Sequence, residues 1–193
     1  MLHLKLPTDP RWVNIAEKNL ADILVDHAYC EQKAASTCIS LIVQYPDKQE
    51  LVEMLAPVVA EEWEHFERVL KEMKKREIPL GKMRKDEYVN ELAKQLKKGG
   101  SREQQLVEKL LMSALIEARS CERFKLLSLH LQDEELKTFY HELMVSEAGH
   151  YTNFITLARK YRPREEVDKR WQELLASEKE IIKNISLRAD RIH

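Results

Sequence analysis

The sequence predicts an all-α protein: a four-helix bundle with one long crossover connection and extra peripheral helices, forming a single domain over residues 1–193. Three observations lead there. The chain holds only 4 Gly and 6 Pro, together about 5% of its length against roughly 12% in average usage, too few for the turns of a sandwich or barrel. Apolar residues recur at helical spacing over long segments. The few breakers fall at the ends of those segments, and a hydrophobic fraction of 44% suffices for one buried core.

The first segment, 11–45, has neither Gly nor Pro and repeats apolar residues at Ile15, Ala16, Leu20, Ile23, Leu24, Ala34, Ala35 and Cys38. Tyr45-Pro46-Asp47-Lys48 ends it. A second helix over 47–76 contains Pro57, which predicts a kink or a local break, and Ile78-Pro79-Leu80-Gly81 stops it. A short polar helix over 86–97 leads to Gly99 and Gly100, the strongest breaker in the chain, and Ser101 is placed to cap the next helix. That third long helix covers 102–131. Asp133 is an N-cap candidate for a fourth, which runs to 161, and a more polar fifth covers 163–187. Two helix pairs with short turns and one long connection between them define the bundle.

Charge excludes some functions. With 32 Lys+Arg against 33 Asp+Glu the formal net charge is −1, which is not the signature of a nonspecific nucleic-acid binder, although local basic patches are compatible with it. Cys30, Cys38 and Cys121 form no Cys-x-x-Cys pair and cannot supply a four-thiolate zinc or iron–sulfur site. A reducing compartment follows as the simpler expectation. The N-terminal residues lack a basic stretch followed by an apolar one, and no run of 18 apolar residues occurs, so a soluble, cytoplasmic protein without a membrane span is expected.

The chemistry lies on the inward stripes. The second helix reads Leu55, Val58, Val59, Glu62, His65, Phe66, Val69, and the fourth reads Tyr140, Leu143, Met144, Glu147, His150, Tyr151, Phe154. Each is interrupted by Glu-x-x-His, whose two side chains share a helix face. The first and third helices each contribute one acid, Glu31 and Glu117, among apolar neighbours. Chance alone would place about one Glu-x-x-His in a chain this rich in Glu; two occur. The spacing decides: Glu31 precedes Glu62 by 31 residues, Glu117 precedes Glu147 by 30, and the two motifs lie 85 apart in both their Glu and their His.

Two helix pairs therefore repeat one ligand plan. Four acids in one core are intelligible if cations neutralise them, and carboxylate with imidazole, without thiolate, suits a pair of iron or manganese ions. This is the ligand arrangement of dinuclear ferritin-like carboxylate proteins.

Competing readings attach to individual residues. A lone Glu in so charged a chain is ordinarily a solvated face, which is the reading for Glu61, Glu64 and Glu67. His27, one turn before Glu31, reads as a core or supporting histidine rather than a seventh ligand, and His130 and His141 read as surface. Glu122 rivals Glu117 but breaks the repeat and lies about 140° round the helix from it. Trp63, Phe66, Met144 and Phe154 read as core, and the three cysteines as small buried fillers. Gly149, between two ligands, is expected either to permit close packing or to leave room beside the metals.

The segments DHAYCEQKAAS at 26–36, EEWEHFERV at 61–69, IEARSCERF at 116–124 and SEAGHY at 146–151 resemble the bacterial tRNA hydroxylases that act on 2-methylthio-N6-isopentenyladenosine, a family of ferritin-like dinuclear-iron monooxygenases. The resemblance runs over nearly the whole chain. It implies that Glu31, Glu62, His65, Glu117, Glu147 and His150 bind two carboxylate-bridged iron ions, and that O2 is the co-substrate. It further implies oxygen insertion into an allylic C–H bond of the isopentenyl group, on the adenosine next to the tRNA anticodon. Since the chain lacks the cysteines for an iron site of its own that could pass electrons, an external electron-donor reductase is implied.

Binding an anticodon stem-loop requires cations near the site and aromatic rings for a flipped base. Lys33, Arg119 and Arg123, close to the ligand acids, are the candidate phosphate contacts, with the basic clusters at 82–85, 97–102 and 158–164. Tyr29, Tyr140 and Tyr151 are the candidate stackers. The rival readings are a ferritin-like iron-oxidising or iron-storing protein, a manganese catalase-like oxidase and a purely structural bundle; the sequence does not indicate the oligomeric state.

Overall fold

The computed structural model describes residues 2–185 and 191–192. Among them the secondary structure is entirely helical: α1 (Arg11–Lys18), α2 (Leu20–Gln44), α3 (Gln49–Lys75), α4 (Glu87–Ala93), α5 (Arg102–His130), α6 (Glu134–Tyr161) and α7 (Arg164–Asn184). The all-α class expected from the scarcity of Gly and Pro is the class observed. None of the described helices is long and apolar enough to cross a membrane. The described residues fall into two compact units: residues 14–85 with 191–192, and residues 2–13 with 86–185.

In the first unit α2 packs on α3. Leu24, Ala28, Ala35, Cys38 and Leu41 form the buried stripe of α2, and Leu51, Leu55, Val58, Val69 and Met73 that of α3. The helix expected over 11–45 is divided at Asn19. There the backbone N–H reaches the Ala16 carbonyl at 3.0 Å, the amide side chain takes the Ile15 carbonyl at 2.8 Å, and φ is −125°. An Asn that bonds its own backbone competes with the helix, and no Gly or Pro announced it. Pro57 does not break α3. The proline sits at an exposed position of a continuous helix, which forgoes only the one bond its ring cannot donate. Asp26, on α2, accepts from Arg191 Nη1 at 2.6 Å and from the Ile192 N–H at 2.8 Å, while Arg191 Nη2 donates to the Lys85 carbonyl.

In the second unit α5 packs on α6, and α7 contacts α4, α5 and α6. α4 is shorter than the predicted 86–97; Asp86 caps it, its side chain accepting from the Val89 N–H, and it stops at Ala93. Gly99 and Gly100 adopt φ of +81° and +83°, and Ser101 opens α5 in a capping box with Gln104. Asp133 caps α6 by accepting from the Glu135 and Leu136 N–H groups. The observed α7 ends at Asn184, and the predicted end at 187 lies outside the described residues.

Candidate metal centre

Helical register builds the site in each unit separately. On α2, His27 and Glu31 lie one turn apart and both are buried, with His27 Nε2 2.6 Å from Glu31 Oε1. An ionised carboxylate only accepts, so the ring nitrogen is the donor. On α3 the i,i+3 pair Glu62 and His65 faces the same place: His65 Nδ1 is 3.6 Å from Glu31 Oε2 and 3.7 Å from Glu62 Oε2. Glu31, Glu62 and His65 each offer a ligand atom within 4.8 Å of the others, and all three are buried. His27 thus holds the Glu31 carboxylate from the side away from Glu62 and His65.

In the second unit α6 carries Glu147 and His150, both buried, with His150 Nδ1 3.2 Å from Glu147 Oε2. Glu117 is buried on α5, one turn before Cys121. The Cys121 thiol donates to the Met144 carbonyl at 3.3 Å. Burial first, and the nearby Glu147 carboxylate second, push its pKa up to about 11. In metal-free protein it is a thiol at neutral pH.

Glu122, the rival of Glu117 in the sequence, is engaged with the N-terminal segment. Its Oε1 accepts from the Thr8 N–H at 3.0 Å, its Oε2 accepts from the Thr8 hydroxyl at 2.7 Å, and Arg119 pairs with it as well. Both oxygens serve to fasten the N-terminal segment to α5.

Three expected RNA contacts are placed elsewhere. Arg119 is 0% exposed. Its guanidinium bonds Glu178 Oε1 from Nε at 2.9 Å, the Leu6 carbonyl at 2.9 Å and the Thr8 hydroxyl at 3.1 Å. Arg123 is also buried, 4.8 Å over the Trp12 ring, and burial together with the Arg119 charge lowers its pKa to about 10. Neither presents a charge to a phosphate. Tyr140 is fully buried between Phe124 and Phe139, with ring centroids 5.4 and 5.2 Å away, and is a core aromatic rather than a base-stacking surface. Tyr29, Tyr151 and Lys33 are partly exposed; the Tyr29 hydroxyl donates to the Gly81 carbonyl, and Tyr151 stands beside Trp171.

The remaining expectations divide. Glu61, Glu64, Glu67, His130 and His141 are exposed as read. Trp63, expected in the core, is 48% exposed, lying against Phe66 with its indole N–H on Glu67. Phe154, Cys38 and Cys121 are buried, while Phe66, Met144 and Cys30 are only partly so. Gly149 is exposed, and a Cβ there would meet nothing within 4 Å, so close packing does not account for it. Sequence reasoning also missed the buried Arg119–Glu178 pair and the Asp26–Arg191 pair. Their partners lie 59 and 165 residues apart, where no local pattern signals them.

The donor set fits a metal ion. Two carboxylates and an imidazole held together in a buried space would repel and suffer desolvation unless a cation shared them. Hard oxygen donors with imidazole suit a first-row divalent ion.

A family model described as tRNA-(MS[2]IO[6]A)-hydroxylase (MiaE) matches residues 1–193. A protein from Pseudomonas putida named tRNA 2-(methylsulfanyl)-N(6)-isopentenyladenosine(37) hydroxylase is 39% identical over 94% of this chain and 87% of its own. A protein of the same name from Salmonella typhimurium is 30% identical over 81% of this chain and 75% of its own. Among solved structures, Protein 43 with aldehyde deformylating oxygenase activity from Synechococcus superposes with a TM-score of 0.92 at 35% identity, covering 98% of this chain and 94% of that one.

Proposed function

The chain belongs to the tRNA-(MS[2]IO[6]A)-hydroxylase (MiaE) family, and from that membership we propose that it hydroxylates the isopentenyl group of 2-methylthio-N6-isopentenyladenosine in tRNA. Glu31, Glu62, His65, Glu117, Glu147 and His150 would hold two iron ions, with O2 as co-substrate. When bound, such a pair supplies the activation of O2 that an unactivated allylic C–H bond requires.

The protein's own residues do the rest. His27 donates to Glu31 and fixes the carboxylate's orientation, as outer hydrogen bonds do for metal ligands generally. The apolar stripes around the Glu-x-x-His pairs keep water away from the reacting centre. Cys121, one turn after Glu117, hydrogen-bonds the Met144 carbonyl and so ties α5 to α6. With three free cysteines, the chain has no thiolate cluster for electron delivery, so the electrons are assigned to an external reductase. The substrate assigns the protein to the cytoplasm, and the ligand plan, split between two helix pairs, is the reason to treat residues 1–193 as one functional domain.

The observation that carries this reading is the buried convergence of Glu31, Glu62 and His65 in a chain of this family. The test is nucleoside analysis of tRNA from cells with and without the gene, paired with purified protein given iron, reductant, O2 and tRNA bearing the unhydroxylated nucleoside. One added oxygen on that nucleoside is the expected result; unchanged nucleosides in both arms would overturn the reading. An aldehyde belongs in the same assay. Turnover of the aldehyde alone would favour the activity named for the Synechococcus structure, and iron uptake into a large hollow oligomer without either turnover would favour storage.

A further inference from the structure

Two basic segments far apart in sequence line one cleft. Lys97, Lys98, Gly99 and Gly100 form one wall, and the end of α6 with the start of α7 forms the other, enclosing about 400 Å³. Five Lys and Arg and three Glu line it. Each carboxylate already holds a cation: Glu108 accepts from Arg170 at 2.7 and 2.8 Å, Glu166 from Arg162 at 2.7 Å, and Glu173 from Lys97 at 2.9 Å. Lys98 and Lys169 are left over; both are exposed, and neither has an ion pair among the described residues. In a chain with a formal charge of −1, this cleft is a local excess of positive charge. Its glycine wall carries no side chains to obstruct a ligand.

We propose that the cleft seats backbone phosphates of the RNA substrate, with Lys98 and Lys169 supplying the neutralising charge. The inference rests on the hydroxylase reading and adds to it a docking site remote from the chemistry. Arg162, at the cleft, follows His150 by twelve residues, roughly 18 Å along α6 at 1.5 Å per residue. A phosphate held there belongs to the stem or to the loop's far side, not to the nucleotide being modified. The cleft therefore contributes to binding of a structured RNA and nothing to the turnover of a free nucleoside.

The experiment compares wild type with the Lys98→Gln/Lys169→Gln double variant. Binding of a labelled anticodon stem-loop is measured between 50 and 200 mM salt, and hydroxylation is followed on that stem-loop and on the free nucleoside. Loss of two phosphate contacts should reduce the slope of log K against log salt by about 1.5. Affinity at low salt should fall about tenfold or more, and KM for the stem-loop should rise while kcat and nucleoside turnover stay put. A thermal melt checks that the two exposed substitutions leave the fold intact. An unchanged affinity and slope, with wild type active on RNA, would overturn the docking site alone. Binding of pyrophosphate that the double variant loses while keeping its RNA affinity would overturn it too, and assign the cleft to a free anion. A wild type that neither binds nor hydroxylates RNA would overturn the functional reading first, before any variant is compared.

Discussion

His27 Nε2 donates to Glu31 Oε1 across 2.6 Å, one turn apart on α2, with both side chains buried. The bond fixes which oxygen of Glu31 remains to face Glu62 and His65. His27→Ala should therefore weaken iron binding by about 10–100-fold, the usual cost of losing an outer hydrogen bond to a metal ligand. His27→Gln, which keeps an N–H donor, should recover part of it. Iron titration of metal-free protein reads both; equal affinity for wild type and the alanine variant would remove His27 from the site.

Arg119 and Glu178 form a pair with both side chains 0% exposed, joined by Thr8 and the Leu6 carbonyl. Removing Arg119 strands Glu178 away from water, and removing Glu178 leaves Arg119 paired with Glu122. Glu178→Leu alone should cost about 3–5 kcal/mol, and combining it with Arg119→Met should restore much of the loss because two apolar groups replace the pair. Denaturant unfolding of the two single variants and the double variant checks this, with the double less stable than either single as the contrary outcome.

The contrast between these two residue pairs marks how far the sequence could be read. The burial of Glu31, Glu62, His65, Glu147 and His150 was legible because helical periodicity puts each at a fixed step from its apolar neighbours, and because the pattern repeats. The helices were legible for the same reason, their ends marked by Ser101, Asp133 and the Gly99-Gly100 pair. Arg119 and Arg123 were misjudged as RNA contacts because a basic residue near a ligand looks the same whether it faces water or a distant Glu178. Only the folded chain supplies that carboxylate. The division at Asn19 and the exposure of Trp63 were hidden likewise: a side chain bonding its own backbone, or an aromatic turned outward, leaves the composition of its segment unchanged.

Gly149 stands in the interior of α6, exposed, with open space where a Cβ would be. Gly is less favourable than Ala there by about 1 kcal/mol. Gly149→Ala should accordingly raise stability by about that amount in denaturant unfolding. If activity falls while stability rises, the glycine is retained for access to the neighbouring site rather than for folding.

Cys121 should be slow to alkylate at pH 8, because burial and the Glu147 carboxylate hold its pKa at about 11 against an unfolded value of 9.0. The folded chain keeps this proton longer than the unfolded one, so stability falls as pH rises from about 9 to 11. Cys121→Ala should flatten that decline. Mass-spectrometric labelling at stepped pH measures the first effect, and unfolding at pH 8 and pH 10.5 the second; rapid labelling of Cys121 at pH 8 in folded protein would contradict both.

Glu117 and Glu122 offer the sharpest separation of metal binding from folding. Glu122 bonds Thr8 through both oxygens and pairs with the buried Arg119, whereas Glu117 sits buried on α5 one turn before Cys121. Glu122→Gln should leave iron content unchanged and lower stability by about 1–3 kcal/mol, since a charge-assisted partner of a buried guanidinium is lost. Glu117→Gln should do the reverse, lowering iron content while changing the stability of metal-free protein less than Glu122→Gln does, because the neutral amide is cheaper to bury than a carboxylate. Iron content and unfolding of metal-free protein, measured on both variants, give two independent readouts. Iron loss in Glu122→Gln with retention in Glu117→Gln would exchange the two assignments and break the 31-and-30 residue repeat on which the ligand plan rests.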